Sequence, residues 1–327
     1  MYKVGKIEIK SKVVLAPMAG FTSHAYRKFM APFGAGLFYT EMVSDAGYLY
    51  NNKETTKYLP HKYDVRPLAL QIFGGKKEQL IKAVEKLESS DYKYDILDIN
   101  LACPMPKVTR NNGGAAWLKK EEELLSMLEE VVKVSSKPVS VKIRIGWDEN
   151  SINFQDLLPK IEKTGVSLIA VHLRTAKQMY KFKARYDLAA NLGDLVQIPL
   201  LISGDIYTLE DAINALKITK ADGVMVARGG LGNPHLIRQI DQYFKTGETL
   251  SATTLKNQLV YLEQFAHLLV EEKGEITAVS CLRGIGPHFL KGFPGLKKYR
   301  VELTQNCRTL NNVLDLIRKI KQDFDIK

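Results

Sequence analysis

Cysteine is scarce in this sequence: three among 327 residues. An odd number in a chain this long does not make a disulfide framework, and no Cys/His spacing resembles a zinc site. With no metal expected, any redox chemistry needs an organic cofactor. Long apolar runs are missing too, none approaching the ~20 residues a membrane helix requires. Met1-Tyr2-Lys3-Val4-Gly5-Lys6 lacks the apolar stretch of a secretory signal, so a cytoplasmic protein without a membrane association is expected. No internal repeat or low-complexity segment is found. What remains is an ordinary globular composition, 45% hydrophobic, enough for one large domain and a smaller appendage.

Acidic residues are the other shortage, 36 against 47 basic ones, a net charge of +11. Such a balance fits a polyanionic partner or a merely solvated surface, and local clustering decides between them. Residues 163–186 contain no carboxylate but carry Arg174, Lys177, Lys181, Lys183 and Arg185. Residues 276–301 repeat the pattern with Arg283, Lys291, Lys297, Lys298 and Arg300, interleaved with Phe289, Phe293 and Tyr299. Two such stretches favour a nucleic-acid partner.

Eight short runs, apolar on both faces, alternate with amphipathic helical stretches: Val13 to Pro17, Gly36 to Met42, Leu68 to Phe73, Tyr94 to Asn100, Val139 to Ile145, Ser167 to Leu173, Pro199 to Ser203 and Gly223 to Ala227. Strands apolar on both faces are parallel and covered on each side. An open doubly wound sheet uses the same grammar, but eight units with polar residues clustered at the strand ends favour a TIM (β/α)8 barrel over residues 1–244. From 245 to 327 only helical periodicity remains, as in Leu255, Leu259, Leu262, Phe265 and Leu269. A bundle of about four helices is expected there, its apolar stripes forming core.

In a barrel, chemistry sits at the carboxyl ends of the strands, which gathers Met18, Glu41, Gln71, Asn100, Cys103, Lys142, Arg144, His172, Arg174, Ser203, Asp205 and Arg228. Cys103 closes Asp98-Ile99-Asn100-Leu101-Ala102-Cys103 just past the fourth run, a setting that Cys281 and Cys307 lack. It reads as a nucleophile, a general acid or an inert thiol. No base stands near it in sequence, and an ordinary thiol is mostly protonated at neutral pH, which favours the acid. Lys142, in an otherwise apolar strand, should point into the barrel mouth, where a cation can stabilise negative charge on a reduced flavin. The glycine-bearing loop Arg228-Gly229-Gly230-Leu231-Gly232, with Ser203-Gly204-Asp205 one unit earlier, occupies the usual phosphate position of such barrels.

Leu15-Ala16-Pro17-Met18-Ala19-Gly20, Thr40-Glu41-Met42, Gln71-Ile72-Phe73-Gly74, Asp98-Ile99-Asn100 with Cys103-Pro104, Val141-Lys142-Ile143-Arg144, His172 with Arg174-Thr175, and Gly204-Asp205-Ile206 together resemble the tRNA-dihydrouridine synthases. His288 to Gly295 resembles the helical RNA-binding domain of the bacterial, B-type enzymes. The resemblance implies FMN in the barrel mouth, reduced by NADPH, with hydride passing to C6 of a uridine in tRNA while Cys103 protonates C5. It implies Pro17, Met18 and Ala19 along the flavin ring and Gln71 and Lys142 at its polar edge. His172, Ser203, Gly204, Asp205, Ala227 and Arg228 would hold the phosphate end. Asn100 and Arg174 are the implied uridine contacts, and the basic stretches, Lys291 and Lys298 among them, would hold RNA phosphates.

Ser203, Leu173 and Ala227 depart from the family pattern of asparagine, glycine and glycine. The bulk of Leu173 on the substrate side leaves open the same reduction on ribosomal RNA. A reductase of a small pyrimidine or enone would not need the basic tail. A non-catalytic RNA-binding flavoprotein would not need Cys103, Lys142 and His172. A monomer is the expected state.

Overall fold

The structure, a computed structural model, describes residues 1–326. A hairpin of β1 (Tyr2–Val4) and β2 (Ile7–Ile9) precedes β3 (Val13–Leu15), β4 (Phe38–Tyr39), β5 (Val43–Ser44), β6 (Leu68–Phe73), β7 (Ile96–Leu101), β8 (Val139–Arg144), β9 (Leu168–His172), β10 (Leu200–Ser203) and β11 (Gly223–Val226). Eight of these are hydrogen-bonded side by side in the order β3-β11-β10-β9-β8-β7-β6-β4, all parallel. The ring closes where Leu15 N–H donates to the Leu37 carbonyl (3.1 Å) and Gly36 N–H to the Val13 carbonyl (2.8 Å). This is the expected TIM barrel.

One expected strand, Gly36 to Met42, is split into β4 and β5, both against β6. Between them the Thr40 hydroxyl accepts the Gln71 N–H at 3.0 Å, so a side chain stands where the ladder would have a carbonyl. The N-terminal hairpin is an element that apolar periodicity over such short strands did not reveal. Its Tyr2, Val4 and Ile9 pack with Val14, Tyr39, Ile96, Leu168 and Met225 to fill the floor of the barrel.

Strand pleating separates two cores. Outward residues such as Leu70, Ile99, Val141 and Val171 join the large core beneath the covering helices, while inward ones form the small apolar floor. Two residues further along each strand points inward again, one layer up. By that step Ala69 leads to Gln71, Ala170 to His172, Leu201 to Ser203 and Met225 to Ala227. An apolar floor therefore carries a polar layer at the carboxyl ends of the strands.

The last barrel helix, Pro234–Thr246, packs against β3, so the boundary expected at 244/245 falls inside it. The helical unit begins later, at Leu255–Lys273, and continues through Glu275–Phe289, Lys297–Gln305 and Leu310–Asp323. It is seated on the helix His24–Met30 by an aromatic cluster, with Phe29 at 5.2 Å from Phe265 and 5.8 Å from Phe289 between ring centroids. Glu272 fixes the joint by accepting from Ser23 Oγ (2.9 Å) and Ala25 N–H (2.6 Å) at the start of the same helix. Among the described residues no helix is long and apolar enough to cross a membrane.

Candidate active site

The polar layer opens into a cavity of about 500 Å³ at the carboxyl ends of the strands. That is within the range of small-molecule and cofactor sites. The β3 loop contributes Pro17, Met18 and Ala19, β6 Gln71, β7 and its loop Asn100 and Cys103, β8 Lys142 and Arg144, and β9 to β11 His172, Ser203, Ala227 and Arg228. Against its far side lies a tighter space bounded by His172, Ser203, Gly204, Asp205, Arg228 and Gly229. Here the loops after β10 and β11 approach backbone to backbone. A Cβ on Gly229 would come within 2.0 Å of the Ile206 carbonyl oxygen, so glycine is required.

Cationic groups converge on these spaces. Among the described residues Lys142 has no ion-pair partner, and it lines the cavity. Burial, and then Arg144, lower it to about 8, against the pull of Asp98 and Cys103. His172 is held well below the usual imidazole range by burial and by Lys142, Arg144, Arg174 and Arg228, and is neutral at physiological pH. Burial pushes the Cys103 thiol above its ordinary value, with the Met105 N–H, Arg144 and Lys142 opposing. It is therefore a protonated thiol, as an acid must be.

The loop 174–185 forms one wall. Arg174, only 1% exposed, donates to the carbonyls of Lys181 (3.1 Å) and Phe182 (2.7 Å) and pairs with Asp205 (2.5 Å). Arg144 donates to the carbonyls of Thr175 (2.9 Å), Met179 (2.8 Å) and Ala102 (2.8 Å). These bonds hold Met179 and Phe182 at positive φ and set Tyr180, half exposed, at the cavity mouth. Its ring lies between the guanidinium groups of Arg144 (5.4 Å) and Arg228 (5.3 Å). A second groove, about 700 Å³, shares Phe21, Arg228 and Leu231 with the cavity and runs to His288, Lys291 and Phe293 of the helical unit.

The sequence profile of the family described as dihydrouridine synthase (Dus) matches residues 14–324. The chain belongs to the dihydrouridine synthase family. It is accordingly an enzyme, an oxidoreductase. It is 34% identical over 301 residues to a probable tRNA-dihydrouridine synthase of Rickettsia conorii, covering 92% of this chain and 90% of that one. Against tRNA-dihydrouridine synthase B of Pseudomonas aeruginosa it is 32% identical over 304 residues, 93% of this chain and 91% of the relative. Among solved structures, histamine dehydrogenase from Rhizobium sp. 4-9 shares the barrel at a TM-score of 0.51 and 11% identity, over 81% of this chain and 50% of that one.

The resemblance implies more site residues than the cavity gathers. Pro17, Met18, Ala19, Gln71, Asn100, Cys103, Lys142, His172, Ser203, Ala227 and Arg228 line it, and Gly204 and Asp205 line the adjoining space. Arg174 does not: expected against a uridine, it is held by Asp205 and two carbonyls, with its Nη1 3.5 Å from His172 Nε2. Lys291 lines the interdomain groove, whereas Lys298 stands outside it, 3.7 Å from Asp323. Glu41 lies under the β3 loop and accepts the Gly20 N–H. Met42, Phe21, Tyr180 and Leu231 are further lining residues. Of these, Tyr180 carried a signal, an aromatic inside an acid-free basic stretch.

Proposed function

We propose that this chain reduces the C5–C6 bond of uridines in tRNA, with FMN bound in the barrel mouth and NADPH as the reductant. The observation that carries the reading is the protonated Cys103 thiol in one cavity with the unpaired Lys142 ammonium and, beside it, an anion-sized space rimmed by Arg228 and glycine backbone. The names of the relatives support tRNA as the polymer.

These residues suit the cofactor. The backbone of Gly204, Asp205 and Gly229, with Arg228 and neutral His172, would hold its phosphate, Pro17 to Ala19 its ring face, and Gln71 and Lys142 its polar edge. When bound, FMN supplies the hydride that reaches C6 of the uracil.

The chain's own residues do the rest. Cys103 Sγ donates a proton to C5, which its raised pKa allows at neutral pH. Lys142 and Arg144 balance the negative charge that builds on the ring before the proton arrives. Asn100 holds the Cys103 loop, accepting the backbone N–H groups of Ala102 (3.1 Å) and Cys103 (2.9 Å). A uracil must leave its stack to enter so deep a site, and the groove from Arg228 to Lys291 gives the flanking backbone a basic path. That groove favours a polymer over a small pyrimidine.

Mapping dihydrouridine in tRNA and ribosomal RNA from cells with and without this protein tests the reading. Loss confined to tRNA is expected. Loss confined to ribosomal RNA, or none, overturns it.

A further inference from the structure

We propose that Asp98 is a positioning residue for the proton donor Cys103, acting through an ordered chain of two side-chain amides. The inference rests on the reading of Cys103 as the acid.

Asp98 points inward from β7, one layer below Asn100, and is wholly buried. A carboxylate there only accepts hydrogen bonds. Its Oδ1 takes the Ser140 hydroxyl at 2.6 Å and its Oδ2 takes Gln71 Nε2 at 2.6 Å. With its NH2 end turned to Asp98, Gln71 presents Oε1 to Asn100, whose Nδ2 donates at 2.8 Å. With its own NH2 end so committed, Asn100 presents Oδ1 to the loop, where it accepts the N–H groups of Ala102 and Cys103.

Burial raises the Asp98 carboxyl to about 7, against the Ser140 and Gln71 hydrogen bonds and Lys142, so above that pH both ends of the chain have fixed polarity. At the floor a carboxylate then only accepts, and at the rim backbone N–H groups only donate. Two amides have four joint orientations, and one of them satisfies both ends. Turning either amide sets like atoms face to face in a dry place, at about 1–3 kcal/mol per unmet group. Asp98 therefore selects the orientation that pins the Cys103 loop, and leaves one Gln71 Nε2 hydrogen for the cavity. Because Sγ must meet one carbon of a flat ring, a displacement of about 1 Å can slow the step by about a hundredfold.

The test compares Asp98→Leu, which removes the acceptor, with Asp98→Asn, whose Oδ1 can still take Gln71 Nε2. Two half-reactions are followed anaerobically at about pH 8, where Asp98 is ionised: reduction of the flavoprotein by NADPH and its reoxidation by unmodified tRNA. Alkylation of Cys103 in flavin-free protein is followed in parallel by peptide mass spectrometry. For Asp98→Leu we expect reoxidation by tRNA to fall roughly tenfold to a hundredfold, NADPH reduction to change by no more than about twofold, and Cys103 to alkylate several times faster as its loop loosens. Asp98→Asn should restore both reoxidation and alkylation. Equal damage in the two variants, a parallel fall of both half-reactions, or unchanged alkylation overturns the proposal.

If Asp98→Leu does not fold, Asp98→Ala removes the same acceptor with less bulk, and the same rate split and faster Cys103 alkylation are expected. Should wild-type protein not reduce RNA at all, the functional reading fails, while the alkylation comparison still decides the hydrogen-bond chain.

Discussion

The acid role proposed for Cys103 requires a thiol that keeps its proton at neutral pH and is held in place, and its neighbours favour both. Burial supplies the first, and the Asn100 amide the second. Cys103→Ala is expected to keep a yellow flavin spectrum and RNA affinity but lose product, as read by dihydrouridine analysis of the RNA. Because its pKa is raised, Cys103 in flavin-free protein should still be largely unreactive toward an alkylating agent at a pH where a free cysteine peptide reacts fast; a pH series of peptide-resolved alkylation checks this. Lys142 makes a prediction of opposite sign. Its pKa falls from 10.5 to about 8 on folding, so the burial penalty is fully present below about 8 and shrinks as pH rises toward 10.5. Lys142→Met should therefore raise the Tm of flavin-free protein at pH ~7, and the gain should fade through that window.

Side-chain identity at a strand end was legible in the sequence, while the partner each side chain takes was not. Alternation puts Gln71, Asn100, Lys142 and His172 in the mouth. It does not say that the Asn100 amide is occupied by Gln71 and the Cys103 loop, nor that Arg174 turns to Asp205. Those outcomes depend on carbonyls and carboxylates that the fold delivers from other units.

At the scale of elements, the loop 174–185 shows what those buried arginines do. Burial pushes the Asp205 carboxyl up, but the Arg174 hydrogen bond, the Ala184 N–H and Arg228 outweigh it and hold it below the usual carboxylate range. Removing Arg174 leaves two carbonyls unmet and the Asp205 carboxylate with only the Ala184 N–H and Arg228. Arg174→Met is expected to cost roughly 3 kcal/mol. It should also free the loop, so that limited trypsin digestion cuts at Lys181 and Lys183 well before the barrel; an unchanged digestion pattern would remove the loop from Arg174's charge. Seven of the eight strand positions were legible because two-sided apolar runs persist over four or more residues. The split between β4 and β5 was not, since it turns on one hydroxyl of Thr40. The floor hairpin was missed because three-residue strands carry too little periodicity.

For the whole molecule, the net charge of +11 overstates the basic surface offered to a partner. Arg185 is paired with Glu149 and Asp187, Lys177 with Asp148 and Lys298 with Asp323. Lys291, in the groove that joins the barrel mouth to the helical unit, has no ion-pair partner among the described residues. Binding of tRNA is expected to weaken linearly in log Kd with log salt, and Lys291→Ala should lower that slope by about 1, with Lys298→Ala having less effect. Titrations at several salt concentrations, with flavin content monitored, separate the two lysines.

The central claim is that Cys103 and a bound flavin serve one uracil in the barrel mouth. It is tested most directly by reducing the purified flavoprotein anaerobically with NADPH and adding an unmodified tRNA transcript. Return of the oxidised flavin spectrum, matched by two hydrogens gained per turnover at a uridine and absent with Cys103→Ala, is the predicted result. Protein that purifies colourless and binds no FMN, or reduced flavin that the transcript leaves untouched, would contradict it.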